Sequence, residues 1–147
     1  MRTAYRVIAA LIALGVVIQA SSIAYAAFAL SHAIDDGATI NSDSTVGDAG
    51  FGVHGINGLM VIPLLAIVLF IISFFSGVPG GVKWAGYVLL ATVVQVALGF
   101  ASHAVPALGW LHGINALILF ALAVYATRRA TGPSAAAPAA PAHAAQG

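Results

Sequence analysis

Four stretches of this chain, Val7–Leu30, His54–Phe75, Val82–Ala104 and Gly109–Thr127, carry one charged side chain between them. At 1.5 Å per residue, a helix of about 20 residues crosses a hydrocarbon core of about 30 Å, and each stretch reaches that length. A spanning β-barrel needs alternating apolar and polar residues in at least about eight strands, and these runs do not alternate. With 61% hydrophobic and 6% charged residues, the 147-residue chain cannot clothe a domain in polar surface. The expected fold is all-α: a transmembrane four-helix up-down bundle over residues 1–130, with the lipid bilayer as its first partner.

The charges orient this bundle. Arg2 and Arg6 precede the first run, Lys83 lies in the turn between the second and third, and Arg128 and Arg129 follow the fourth. The acids Asp35, Asp36, Asp43 and Asp48 all fall in the loop after the first run. Basic residues mark the cytoplasmic side, so the expected placement is a multi-pass plasma-membrane protein with both termini cytoplasmic. A net charge of +1 leaves no footprint for nucleic acid. Arg2, Arg6 and the small residues of Ala24-Tyr25-Ala26 also suit a signal peptide. The apolar run continues to Leu30, however, and has a counterpart later in the chain, so it is read as the first helix.

That counterpart is part of a wider repeat. Ser31-His32-Ala33 ends the first run and Ser102-His103-Ala104 ends the third, while His54-Gly55-Ile56-Asn57 and His112-Gly113-Ile114-Asn115 open the second and fourth. Two helix-pair copies related by a pseudo-twofold axis are expected, with His54 facing His112. Counting along helices from the basic anchors puts His112 about 24 Å, His103 about 30 Å, His54 about 33 Å and His32 about 39 Å from the inner surface. All lie in the outer half or at its rim.

A histidine inside a membrane bundle generally faces the interior and has a partner. For His32 and His103, at the rim, ordinary snorkelling or hydrogen bonding is sufficient. The duplicated His54 and His112 point further. At a helix start the positive end of the dipole disfavours imidazolium and keeps the ring in its metal-binding neutral form. Gly55 and Gly113 remove bulk where a flat macrocycle would approach, or else permit close helix packing. Asn57 and Asn115, one position short of a turn further in, must hydrogen-bond to each other, to a carbonyl or to a ligand. Gln95, Gly99 and His103, spaced four apart, form one stripe of the third helix, and Gln19 is the matching buried amide of the first; for both glutamines the first expectation is an interhelical hydrogen bond. These residues suit a haem b with His54 and His112 as axial ligands and His32 and His103 near its outer edge, towards the propionates or holding a separate metal.

The run Tyr87–Gly99, then Pro106, then Leu111-His112 and an Ala/Leu-rich helix resembles the third and fourth helices of one half of haem A synthase. Each half in that family carries a histidine at the outer start of its second helix and another at the outer start of its fourth, and these positions match His54 and His112. The resemblance spans roughly residues 5–128 in architecture and is specific around Gln95–His112 and the two histidines. It implies b-type haem binding in a single bundle. The family's glutamate three residues before the second-helix histidine and its arginine after it are replaced here by Phe51 and Gly55, and the chain has no cysteine. Oxygenase-like chemistry is therefore not implied.

With Met60 alone in the inner half, one outer haem is the expected complement. The chain reads as a haem-binding, electron-transfer protein more than an enzyme, with a quinol or an outer-face redox partner and association as a homodimer or within a membrane complex. A haem-free structural or accessory subunit is the alternative. A carrier for metals or small solutes fits less well, because no acid lies within the spans. Pro63 should kink the second helix one to two turns below His54. The Asp35–Gly50 loop lacks EF-hand spacing, and the Ala/Pro-rich residues 131–147 read as a disordered cytoplasmic tail.

Overall fold

Backbone hydrogen bonding carries the helices beyond the limits that apolarity suggests. The computed structural model describes residues 1–131, so the expected tail lies outside the described residues except for Thr131. The described residues form four long helices and no strand: α1 (Arg2–Asp35), α2 (Asp48–Ser73), α3 (Gly81–Ala104) and α4 (Gly109–Arg129), with a 3₁₀ turn at Pro106–Leu108 leading into α4. All four are long and apolar enough to cross a membrane. The 34 residues of α1 would extend about 51 Å, well past a hydrocarbon core of about 30 Å at one or both ends. Its polar last turn, with His32, continues the hydrogen-bond ladder rather than joining a loop.

The start of α2 departs most from expectation. It begins at Asp48, directly after Gly47, whose φ of +86° suits a residue without a Cβ. Asp48 sits in the first turn, where a carboxylate complements the exposed N–H groups. His54 therefore stands in the second turn, and the helix-dipole argument for its neutrality applies only to His112, in the first turn of α4. Further along, Asn57–Val61 form a π-helical turn between α-helical segments Asp48–Ile56 and Ile62–Ser73. Pro63 follows at the start of the second segment, so what stands at the expected kink is a widened turn that relieves the lost N–H and the ring's clash with the preceding turn.

α1 packs on α2 and α4, and α3 packs on α2 and α4. The Ile62–Ser73 half of α2 packs on both α1 and α3, while its Asp48–Ile56 half packs chiefly on α1. The interior is built from small residues: Ala9, Ala13, Ala66, Ala85, Ala91, Ala123 and Ala126 are buried, beside a few large side chains such as Tyr5, Ile12, Leu69 and Leu119. The large apolar side chains mostly face outward, among them Leu14, Leu64, Phe75, Leu90 and Leu117. A water-soluble bundle would reverse this pattern. Lipid supplies no hydrophobic drive between helices, so association rests on close backbone approach over small residues.

One end of the bundle gathers the basic residues. Arg2 Nε donates to Ala130 O (3.0 Å), Arg129 Nη2 to Pro79 O (3.2 Å), and the Tyr5 hydroxyl to Gly81 O (3.1 Å). Trp84 stacks against Tyr125 at 4.2 Å and meets Tyr87 edge-on, while Lys83 and Arg129 lie over the Tyr87 and Tyr125 rings. Aromatic rings among cations suit a headgroup interface. The bundle suits a multi-pass membrane protein.

Candidate functional site

The packed interior ends about halfway along the bundle, where α1 and α3 each present a glutamine and α2 and α4 each present a histidine. His54 Nδ1 lies 3.2 Å from Gln19 O and His112 Nδ1 lies 3.1 Å from Gln95 O. A carbonyl can only accept, so each ring carries a proton on Nδ1. In the neutral imidazole this leaves the lone pair on Nε2. The two ring centres are 6.3 Å apart with planes inclined at 51°.

The asparagines reinforce this frame one turn deeper. Asn57 Nδ2 donates to Gly15 O (2.8 Å) and Asn115 Nδ2 to Ala91 O (2.9 Å). Of the three uses open to them, both take a neighbouring carbonyl. The two sets share a spacing: Gly15 and Ala91 are 76 positions apart, as are Gln19 and Gln95. The Ser-His-Ala copies are 71 apart, so His32 and His103 do not occupy equivalent levels of this frame.

The pairs differ in one respect. Asn115 Nδ2 also reaches Gln95 Oε1 (2.7 Å), and Gln95 Nε2 lies 3.0 Å from His112 Nε2. Because the Ala91 carbonyl orients the Asn115 amide, and that amide in turn orients Gln95, an N–H of Gln95 faces the lone pair on His112. On the other side the Gln19 amide packs over Gly58, where a Cβ would collide with it, and buried Gln19 Oε1 has no hydrogen-bond partner.

Two clefts border the histidine pair. The larger, about 710 Å³, is lined by Phe51, Gly55, Leu59, Gly99, Phe100 and His103 around the His54 and His112 rings. The smaller, about 240 Å³, lies inward between α1 and α4 and shares Gln19, His54, Gln95 and His112 with the first. The larger volume falls within the range of about 300–1,000 Å³ common for small-molecule and cofactor sites, and the walls are mainly apolar.

The glycines separate into two roles. Gly99 meets the His112 ring, with only 3.3 Å between a virtual Cβ and His112 Cε1. Gly55 and Gly113 have open space on that side, so neither serves as a helix-packing contact; Gly55 borders the larger cleft and Gly113 the smaller. Close helix packing falls instead to Gly50, whose virtual Cβ would strike the α1 backbone at Ser22, and to Gly15 against Ile62.

The structure thus brings together His54, His112, Gly55, Gln95, Gly99 and His103 around one cleft, with Asn57 and Asn115 bracing it. His103 points its Nδ1 to Gly99 O of its own helix, 3.1 Å away. His32 stands apart, exposed, with Nε2 at 3.6 Å from Asp36 of the same helix. No group of three or more His, Cys, Asp or Glu side chains gathers among the described residues. Sequence reading did not foresee the cleft walls Phe51, Val96 and Phe100, nor the seat of Gln19 on Gly58; an apolar wall has the same composition as a lipid-facing surface. No protein family, curated protein or solved structure matches the chain.

Proposed function

We propose that the protein is a membrane b-type cytochrome that holds one haem b between His54 and His112 and passes single electrons near the outer membrane face. The observation that carries this reading is the 6.3 Å between ring centres, with each Nδ1 held by a backbone carbonyl. Metal–nitrogen bonds of about 2.0–2.1 Å on either side of one ion separate two imidazole centres by roughly 6 Å. Fixing Nδ1–H on a carbonyl is the usual outer-shell device that aims Nε2 at a metal. The cleft, the open space beside Gly55 and the mainly apolar walls suit a flat macrocycle. When bound, the haem would supply reversible one-electron chemistry, and the chain's part is to hold it, exclude water and set its potential.

The reading extends to topology. The order of contacts, with Gly15 and Asn57 deeper than Ala26 and Gly47, supports α1 and α2 running in opposite directions, and Arg2 beside Ala130 supports the same for α1 and α4. The shared 76-residue spacing supports two helix-pair copies about a pseudo-twofold axis. The basic end is taken as cytoplasmic, which places both termini inside and the histidine pair in the outer half of the plasma membrane. A quinol in the bilayer or a redox protein at the outer face would then exchange electrons with the haem, and the likeness to one half of haem A synthase belongs to this reading. The bond between Gln95 and His112 favours a second reading: a haem-free accessory subunit whose polar residues only lock helices together.

One preparation separates the two. The full chain, expressed with a haem supply and purified in detergent, is expected to be red with a low-spin six-coordinate spectrum. A colourless protein that takes up no added haem would leave the second reading standing.

A further inference from the structure

The two histidines of the pair are not equally free. The ligating nitrogen of His112 already accepts a hydrogen bond from Gln95, in a chain that starts at the Ala91 carbonyl and passes through Asn115. His54 makes its Nδ1 bond to Gln19 O, and the Gln19 amide is turned aside onto Gly58. No hydrogen bond engages His54 Nε2 among the described residues.

From this asymmetry we infer that Gln95 is a latch on His112, so that His54 takes the iron first and His112 joins, or leaves, in exchange for the Gln95 amide. The inference rests on the haem reading. For a haem seated in the larger cleft, the lone pair of His54 would be free and that of His112 covered by Gln95. Completing the six-coordinate site requires one hydrogen bond, Gln95 Nε2–H to His112 Nε2, to break while one Fe–N bond forms. No proton or electron moves, because His112 keeps its proton on Nδ1 towards Gln95 O throughout. In the reverse direction, when His112 leaves the iron, the same amide receives it. The exchangeable ligand would therefore be His112, which both clefts reach, and a neutral diatomic such as carbon monoxide would take its place. Gln95 acts through His112 and is a positioning residue.

The test compares Gln95→Leu with Gln19→Leu, near-isosteric changes at matched positions, using purified full-length protein titrated with haem. Gln95→Leu removes the latch and should tighten haem binding about three- to fivefold, the worth of one interhelical side-chain hydrogen bond in a membrane protein. It should also abolish a slow high-spin to low-spin phase during loading and weaken carbon monoxide binding to the reduced protein by a similar factor. Gln19→Leu also alters the cleft wall and serves for one comparison only: the slow phase should persist, because Gln95 still covers His112 Nε2. Gln95→Ala, which frees the same nitrogen with less bulk, should repeat the Gln95→Leu result if the larger side chain misfolds. Nitrogen-15 spectra of the haem-free protein supply a readout independent of haem: the His112 Nε2 resonance should shift in Gln95→Leu. Equal haem affinity and loading in wild type and both Gln95 variants would overturn the latch and leave the haem reading intact. Wild type and variants that all fail to take up haem would overturn both.

Discussion

At the scale of single residues, the decisive contrast is between imidazoles held by another helix and imidazoles held by their own. His54 and His112 each reach across to a backbone carbonyl of a neighbouring helix, whereas His103 and His32 bond within the helix that carries them. If the pair holds a haem as proposed, His54→Ala and His112→Ala should each abolish the low-spin spectrum, because either change would leave the iron one ligand short. His103→Ala should keep that spectrum with at most about a tenfold loss of haem affinity, the lower end of what an outer-shell partner contributes at metal sites. His32→Ala should change nothing measurable. Retention of a low-spin haem in both the His54 and His112 variants, read by visible spectroscopy, would reject this pair as the ligands. The repeated tetrapeptides made the pair legible in the sequence, since a polar side chain inside an apolar run requires a partner. The Gln19 and Gln95 carbonyls were not legible, because a backbone acceptor carries no signature and its availability depends on the register between helices.

At the scale of helices, glycine shows how far composition can be read. The sequence leaves Gly55 and Gly113 open to two uses, room for a ligand or close packing; the structure leaves them beside open space and gives the packing role to Gly50 and Gly15. Gly50→Ala should drive a methyl group into the α1 backbone at Ser22 and Ala26 and destabilise the bundle by about 1–3 kcal/mol, as overpacking does elsewhere. Gly52→Ala, two residues on and facing open space, should be neutral or raise stability by about 0.5–1 kcal/mol through the gain in helix propensity. Thermal unfolding of the two variants in one detergent checks the pair, and equal midpoints would mean that α1 and α2 do not approach as closely as Gly50 indicates. The extra six residues at the start of α2 escaped a reading by apolarity because Asp48-Ala49-Gly50 are polar or small, yet a helix needs only caps and hydrogen bonds there. Pro63 pointed to a kink; the π-helical turn just before it follows from how neighbouring residues share the displaced hydrogen bonds.

At the scale of the whole molecule, the bundle is divided along its length into a packed half and an open half. Towards the basic end, Tyr5, Leu69, Val88 and Ala126 are fully buried. Towards the acidic end the interior gives way to the two clefts, where the Asp48–Ile56 half of α2 packs chiefly on α1. Four spans and one basic end were legible because length, hydropathy and charge are summed properties that survive ignorance of packing. The division into halves was not, since Ala, Val and Leu line both. This asymmetry has a consequence in sealed membranes. On the proposed reading, with the basic end cytoplasmic, a haem held by His54 and His112 would open to the outer face, with about 24 Å of helix below His112 between it and the cytoplasm. Dithionite, which does not cross a bilayer, should therefore reduce the haem faster in right-side-out vesicles than in inverted ones. Disrupting the vesicles with detergent should bring the slower preparation up to the faster. Faster reduction in the inverted vesicles would place the cleft at the cytoplasmic face, and because the cleft lies at the end opposite Arg2, Lys83 and Arg129, it would also reverse the orientation drawn from those charges.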